Sequence, residues 1–253
     1  MSSLTSVLIT GASSGIGKAL ALAYAEPGVH LALSGRSKQR LESVVHACKK
    51  AGSKVDYAIL DVKSKDEMRA WVTAVDDNAP LDLVIANAGV SGGTGSGGET
   101  EYQTRLIFET NIDGILNTVF PAADCMRTRK CGQIALVSSL ASFRGFTGAP
   151  AYSASKAAVR TYGEALRGAL KDDGIGVSVI CPGFVESRMT AVNKYKMPFL
   201  MTAERAAAII QHGLAQNKAR IAFPFPTYFL SWFLGSLSPA LTDPIFQILP
   251  KKE

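Results

Sequence analysis

Tyr152 and Lys156 stand four residues apart in the run Ala-Tyr-Ser-Ala-Ser-Lys. On a helix that spacing puts a phenol and an ammonium on one face. A fixed cation favours the phenolate, so such a pair can trade a proton near neutral pH. The spacing arises by chance easily in a chain with 7 Tyr among 253 residues, so its meaning depends on its company. Ser139 lies thirteen residues upstream, at the end of an apolar run that reads as a strand. A hydroxyl there and the phenol at the start of the next helix can reach one oxygen atom. Negative charge growing on a carbonyl oxygen needs both a proton donor and an aligned hydrogen-bond donor.

A second constellation lies near the N-terminus. Thr10-Gly11-Ala12-Ser13-Ser14-Gly15-Ile16-Gly17 follows the first apolar run and leads into a helical pattern at 18–25. Glycines there permit a tight turn and let the backbone approach a pyrophosphate, which rests on the helix N-terminus. Such sites usually place an Asp or Glu after the second strand, where it binds a ribose 2′-hydroxyl. This chain reads Ser34-Gly35-Arg36 instead. A guanidinium there suits a 2′-phosphate, which favours NADP over NAD. Arg36 read as a solvated loop charge is the alternative.

These residues need a frame. Strand patterns fall at 7–10, 31–35, 55–60, 81–86, 133–138, 177–181 and 220–223. Several are apolar throughout, as parallel strands covered on both faces should be. Helical patterns occupy 17–25, 38–51, 65–75, 100–126, 152–170 and 203–216. The alternation predicts βαβ units in an α/β fold with a doubly wound parallel sheet, ligands binding beyond the carboxyl ends of its strands. The Gly/Ser-rich run Ser91–Gly98 has loop composition; it reads as a plain connection or as a rim of the site. Residues 224–253 form an apolar, proline-rich extension beyond the main domain at 1–223. Its longest proline-free apolar stretch, 227–238, would span roughly 18 Å as a helix, too short for a hydrocarbon core of about 30 Å. Packing on the core or on a partner subunit is one reading of this tail. Partial burial in a membrane surface through Phe229, Leu230, Trp232, Phe233 and Leu234 is the other.

Composition narrows the classes. The 47% hydrophobic and 19% charged make-up is that of a globular chain with a large core. A net charge of +6 is modest, and the one dense basic cluster, Arg127, Arg129 and Lys130, ends a helical pattern where cations suit the dipole. Nucleic acid is not implied. Cys48, Cys125, Cys131 and Cys181 make no Cys-x-x-Cys pair and read as buried reduced thiols of a cytoplasmic protein. His30, His46 and His212 fit no metal-ligand spacing, and no secretory signal precedes the first strand pattern.

Together, the Thr10–Gly17 turn, Asn87-Ala88-Gly89, Asn111, Ser139, Tyr152-x-x-x-Lys156 and Pro182-Gly183 closely resemble the short-chain dehydrogenases/reductases, over the chain to about Phe223. The resemblance implies a single-domain Rossmann fold with a seven-stranded parallel sheet. It implies Tyr152 as acid or base and as a cofactor contact, Ser139 orienting the carbonyl, and Lys156 lowering the Tyr152 pKa while holding the nicotinamide ribose. Asn111, within a long helix, would hold a proton-relaying water. Gly11, Ser13, Ser14, Gly15, Ile16, Gly17 and Arg36 would bind the phosphates. Asp61 and Val62 would meet the adenine, Asn87, Ala88 and Gly89 its ribose, and Pro182, Gly183, Val185 and Ser187 the nicotinamide. Members that prefer NADP often carry a second basic residue just before the middle glycine, where this chain has Ser14. Relatives commonly form dimers or tetramers, so a homo-oligomer is expected.

The substrate is expected against Phe184, Met189, Val192, Tyr195, Met197, Phe199 and Leu200, with Phe143 and Phe146 adding to an apolar wall. Arg144 and Arg188 read either as anchors for an anionic group or as exposed loop charges. The expected activity is NADP(H)-dependent hydride transfer between the nicotinamide and a carbonyl or secondary alcohol of a hydrophobic molecule. The rival is a non-catalytic NADP(H)-sensing protein on the same fold, which would be expected to lose Tyr152 or Lys156.

Overall fold

The computed structural model describes residues 4–92, 98–193 and 195–248. Seven strands form one parallel sheet in the order β3-β2-β1-β4-β5-β6-β7. They are β1 Ser6–Thr10, β2 His30–Gly35, β3 Lys54–Ile59, β4 Leu83–Ala86, β5 Gly132–Val137, β6 Ile175–Pro182 and β7 Arg220–Phe223. The connecting helices are α1 Gly15–Ala23, α2 Lys38–Lys50, α3 Lys65–Asn78, α4 Glu101–Phe108, α5 Gly114–Arg129, α6 Pro150–Ala169, α7 Arg188–Ala191 and α8 Ala203–Ala215. Two more, α9 Phe225–Ser236 and α10 Pro239–Ile248, follow the last strand.

Alternate residues of a strand face opposite sides, and the core divides accordingly. Val7 and Ile9 of β1 pack with Leu31, Leu41, Val44, Ile210 and Leu214 in one apolar cluster. Leu8 packs with Met68, Val72, Val84, Ile115 and Val159 in another on the opposite face. With both faces covered, β1, β2 and β4 are buried along their whole length. β1 pairs with β2 on one side and β4 on the other, so successive crossovers leave in opposite directions there. The crevice at that switch point receives the Gly-rich turn and the residues after β4.

The segment 100–126, expected as one helix, is two helices joined by a π-helical turn at Glu109–Asp113. A π turn widens the helix by one residue and re-aims its side chains. Here Thr110 and Asn111 are buried within it. The tail is helical, and three of its prolines stand at helix starts, while Pro244 falls inside α10. Pro224 precedes α9, Pro226 lies in its first turn, and Pro239 opens α10, positions where the missing N–H is not needed. Residues 249–253, including Pro250, and residues 93–97 of the Gly/Ser-rich run lie outside the described residues.

The expectation of four buried thiols needs correction. Cys48 and Cys181 are buried, Cys125 is half-buried, and Cys131 is exposed. Lys130 takes a left-handed conformation at the end of α5, so Cys131 falls in the outer turn before β5. The basic cluster before it is paired: Arg127 with Asp124 and Asp173, Arg129 with Asp76 and the Leu81 carbonyl.

Candidate active site

A large cleft opens at the carboxyl ends of the strands, with a cavity of about 660 Å³. Gly11, Ser13, Ser14, Gly15 and Ile16 line it, as do Arg36, Asp61, Val62 and Asn87 to Gly89. Further along are Ser139, Tyr152 and Lys156, then Pro182, Gly183, Val185 and Ser187. Two anticipated residues, Gly17 and Asn111, lie behind this lining. A Cβ on Gly17 would come within 2.5 Å of both the Gly11 carbonyl and the Asn87 amide, so only glycine lets α1 start this close to β4. Asn87 spends its amide on the turn itself, donating to the Thr10 carbonyl at 2.9 Å. Thr10 Oγ1 accepts the backbone N–H of Asn87 and Ala88 at 3.0 and 3.1 Å, tying the end of β4 to the end of β1.

At the chemical end, Ser139 follows β5 in extended conformation and caps a short 3₁₀ turn at Leu140–Ser142. Tyr152 enters from the first turn of α6. The Ser139 hydroxyl reaches the phenol and pulls its pKa down, but burial is the larger effect and the net shift is upward. Lys156 is 3% exposed, and one of its three donors goes to the Val137 carbonyl at 2.9 Å. Burial pushes this ammonium down to about 8, opposed by Cys181. Its Nζ stands 5.8 Å from the centroid of the Tyr152 ring. Burial is the larger of the two influences on this phenol, with the Ser139 hydrogen bond opposing it. Ser138, facing away, donates to the Lys156 carbonyl at 2.7 Å and holds α6 on the sheet.

Asn111 is fully buried and committed on every side. Its amide donates to the Val90 carbonyl at 2.9 Å and to Ser155 Oγ at 3.0 Å, while its Oδ1 accepts the Val90 N–H at 2.8 Å. It braces the loop after β4 against α6.

The substrate end is only partly the one anticipated. Phe146, Phe184, Met189 and Tyr195 line the cleft, whereas Val192, Met197, Phe199 and Leu200 do not. Phe143 lies beneath it. The Arg160 and Arg220 guanidinium carbons sit 4.8 and 5.3 Å from the Phe143 ring centroid, and Glu164 pairs with both arginines. Tyr228 of α9 packs edge-on against Phe143 at 5.4 Å and accepts from Arg220 at 3.2 Å. A Cβ on Gly235 would meet the Phe143 carbonyl at 2.0 Å, so α9 lies as close to this loop as a helix can. Thr227, Leu230, Ser231 and Leu234 then form the far wall of the cleft. Their 3-1-3 spacing was the sequence signal available for this wall. Arg144 is tied up, donating to Thr242 at 3.0 Å and Asp243 at 2.8 Å, so the tail is strapped to the loop that follows Ser139. Arg188 lines the cleft and is exposed. At the opposite end Arg40, four residues after Arg36, also lines the cleft and had not been anticipated.

The cleft fits a nicotinamide dinucleotide on two counts. Its turn leaves no room for a Cβ at Gly11, within 2.8 Å of the Ala88 Cα. Ser34 Oγ and Thr110 Oγ1 have no protein partner, and both residues line the cleft. Among the described residues no group of His, Cys, Asp or Glu could hold a metal ion.

Comparison with known proteins agrees with this geometry. The family model described as short chain dehydrogenase matches residues 5–197. The chain belongs to the short-chain dehydrogenase family. An uncharacterized oxidoreductase of Myxococcus xanthus is 41% identical over 254 residues, covering 99% of this chain and 98% of that one. A short-chain dehydrogenase from Sphingobium yanoikuyae, solved with NADPH, superposes with a TM-score of 0.81 at 21% identity, covering 99% and 98%. One from Burkholderia phymatum, solved with NAD, gives 0.83 at 22%, covering 98% and 97%. The protein is thus an oxidoreductase of the short-chain dehydrogenase type, and a nicotinamide cofactor follows from that membership.

Proposed function

We propose that this dehydrogenase uses NADP(H) to move a hydride to or from a carbonyl carbon or secondary alcohol of a mainly hydrophobic molecule. One observation carries the reading: Ser139 and Tyr152 meet at the cleft wall with Lys156 buried beside them. The bound nicotinamide supplies or accepts the hydride. Tyr152 holds its proton at neutral pH because burial raises its pKa, which suits a donor to the oxygen of a reduced carbonyl. Ser139 aligns that oxygen. Lys156 keeps two donors for the cofactor ribose, and Asn111 fixes the floor under it.

The preference for NADP rests on Arg36 and Arg40 at the adenosine end and on the absence of an acid at position 36. Asp61 stands 3.9 Å from Arg36, a loose pairing between two solvated groups that leaves the guanidinium available. Intact Tyr152 and Lys156 distinguish this enzyme from a protein that only senses the nucleotide. A screen of apolar ketones, aldehydes and alcohols, run with NADPH and NADH in parallel, tests the proposal. Turnover favouring NADPH is expected; tight NADPH binding without turnover of any class would leave the sensing protein as the better account.

A further inference from the structure

The wall that α9 presents to the cleft is only one of its faces. Phe225, Phe229, Trp232 and Phe233 point away from it, 71%, 53%, 48% and 46% exposed. Phe229 is the hub of this face, with ring centroids 6.3 Å from Phe225, 6.1 Å from Trp232 and 6.4 Å from Phe233. No charged residue occurs between Arg220 and Asp243. Leu230 belongs to both faces: it lines the cleft and is 54% exposed, so it marks the mouth.

Facing α9 at the mouth is the segment around α7. Asn193, Tyr195, Lys196 and Pro198 line the cleft there, and Val192, Phe199 and Leu200 turn outward, exposed. Phe199 adopts a left-handed conformation, φ 55°, unusual for a bulky residue. The backbone is strained there, and what it achieves is an aromatic ring held in solvent beside the substrate opening. Of the charged residues lining this end, Arg144 is paired with Asp243, while Arg188 and Lys196 are exposed cations; Asp61, an acid in the lining, belongs to the adenosine end.

A contiguous apolar patch of this kind marks an interaction surface, and its chemistry selects among occupants. Aromatic residues, Trp among them, with basic side chains at the edge fit the headgroup boundary of an anionic bilayer. A second copy of the chain meeting this face would bring the same two cations, Arg188 and Lys196, to the edge without a matching acid among the residues lining this end. Among the described residues no helix is long and apolar enough to cross a membrane, so the face would lie on the surface.

We propose that the outer face of α9 and the rim residues Val192, Phe199 and Leu200 dock on an anionic phospholipid surface, and that the substrate is a lipid-borne carbonyl or alcohol entering past Leu230. The substrate half of this inference rests on the oxidoreductase reading above; the docking half does not.

The test is flotation of the full chain with phosphatidylcholine vesicles, with and without phosphatidylglycerol, alongside a Phe229→Ser/Trp232→Ser/Phe233→Ser variant. These three side chains lie outside the cleft lining, so the variant should keep its NADPH affinity and its turnover of a short soluble ketone. Wild type should float with the anionic vesicles, less so at high salt, and the variant should lose about tenfold or more of that binding. Absence of wild-type flotation, or equal flotation of the variant, overturns the docking surface. Wild-type dimers that fail to float and become monomers in the variant would assign the face to a second copy and also overturn it. NADPH titration separates the two readings: flotation without cofactor binding defeats the oxidoreductase, and cofactor turnover without flotation defeats the membrane surface.

Discussion

The two ends of the cleft are made of different material. The adenosine end is backbone: a turn with no room for side chains at Gly11 and Gly17, clipped to β4 through Thr10 and Asn87. The substrate end is side chain, contributed by the loop after Ser139, the segment around α7, and α9. Backbone geometry depends on few residues and serves many substrates alike. A side-chain wall can be rewritten without touching the chemistry. The family model matches residues 5–197, which hold the glycine turn and the Ser139, Tyr152 and Lys156 site, while α9, which forms the far wall, comes after it.

The sharpest break of that contrast is at its boundary. Tyr152→Phe should cut kcat by about 10²- to 10⁴-fold while changing the NADPH Kd only about two- to threefold, because the proton donor is lost and the phenol is one of many groups facing the cofactor. Stopped-flow turnover with fluorescence titration measures both; an unchanged kcat would remove Tyr152 from the chemistry. At the adenosine end, Arg36→Ala with Arg40→Ala should lower the NADPH-over-NADH ratio of kcat/KM by about 10- to 100-fold, the loss of charge-assisted bonds to one phosphate. An unchanged ratio would mean that both guanidinium groups merely sit in solvent.

Lys156 connects the two ends. Its folded pKa of about 8 lies below the ordinary value of 10.5. Below pH 8 both folded and unfolded states are protonated and the burial cost is present in full. Between pH 8 and 10.5 the unfolded chain binds more protons, so stability attributable to this group rises with pH. Lys156→Met should therefore stabilise the cofactor-free protein by about 1–3 kcal/mol at pH 7, with the advantage shrinking towards pH 10. Denaturant melts at the two pH values check this, and a destabilised variant at pH 7 would contradict it. The smallest effect expected is at the far wall. Leu234→Ala should raise KM for an apolar substrate by about tenfold with little change in kcat or in NADPH affinity. A fall in kcat alone would make α9 part of the catalytic geometry.

Much of the frame was legible because it is local. Apolar strand runs, the glycine turn and the Tyr-x-x-x-Lys spacing are short-range patterns, and the sheet that they imply is the one observed. The Ser139–Tyr152 meeting was readable from their places at a strand end and a helix start. What was not legible depended on tertiary contact. Arg40 becomes a cleft residue only through the angle at which α2 leaves β2. Phe143, counted with the substrate wall, is drawn beneath the cleft by Arg160, Arg220 and Tyr228, residues distant in sequence. Pro224, Pro226 and Pro239 looked like breaks because their placement at helix starts cannot be seen until the helices are.

The π turn at Glu109–Asp113 carries a consequence for how this segment can vary. Asn111 reaches Val90 and Ser155 because one extra residue is fitted into a single turn. Exchanging Glu109 or Asp113, both exposed, alters nothing in that brace. Deleting either would restore ordinary α-helical winding and remove the wider turn that aims Asn111 at Val90 and Ser155. The segment should therefore accept changes of letter and reject changes of length, so an insertion–deletion scan would find here a sharp minimum of tolerance in the middle of an unbroken helical stretch.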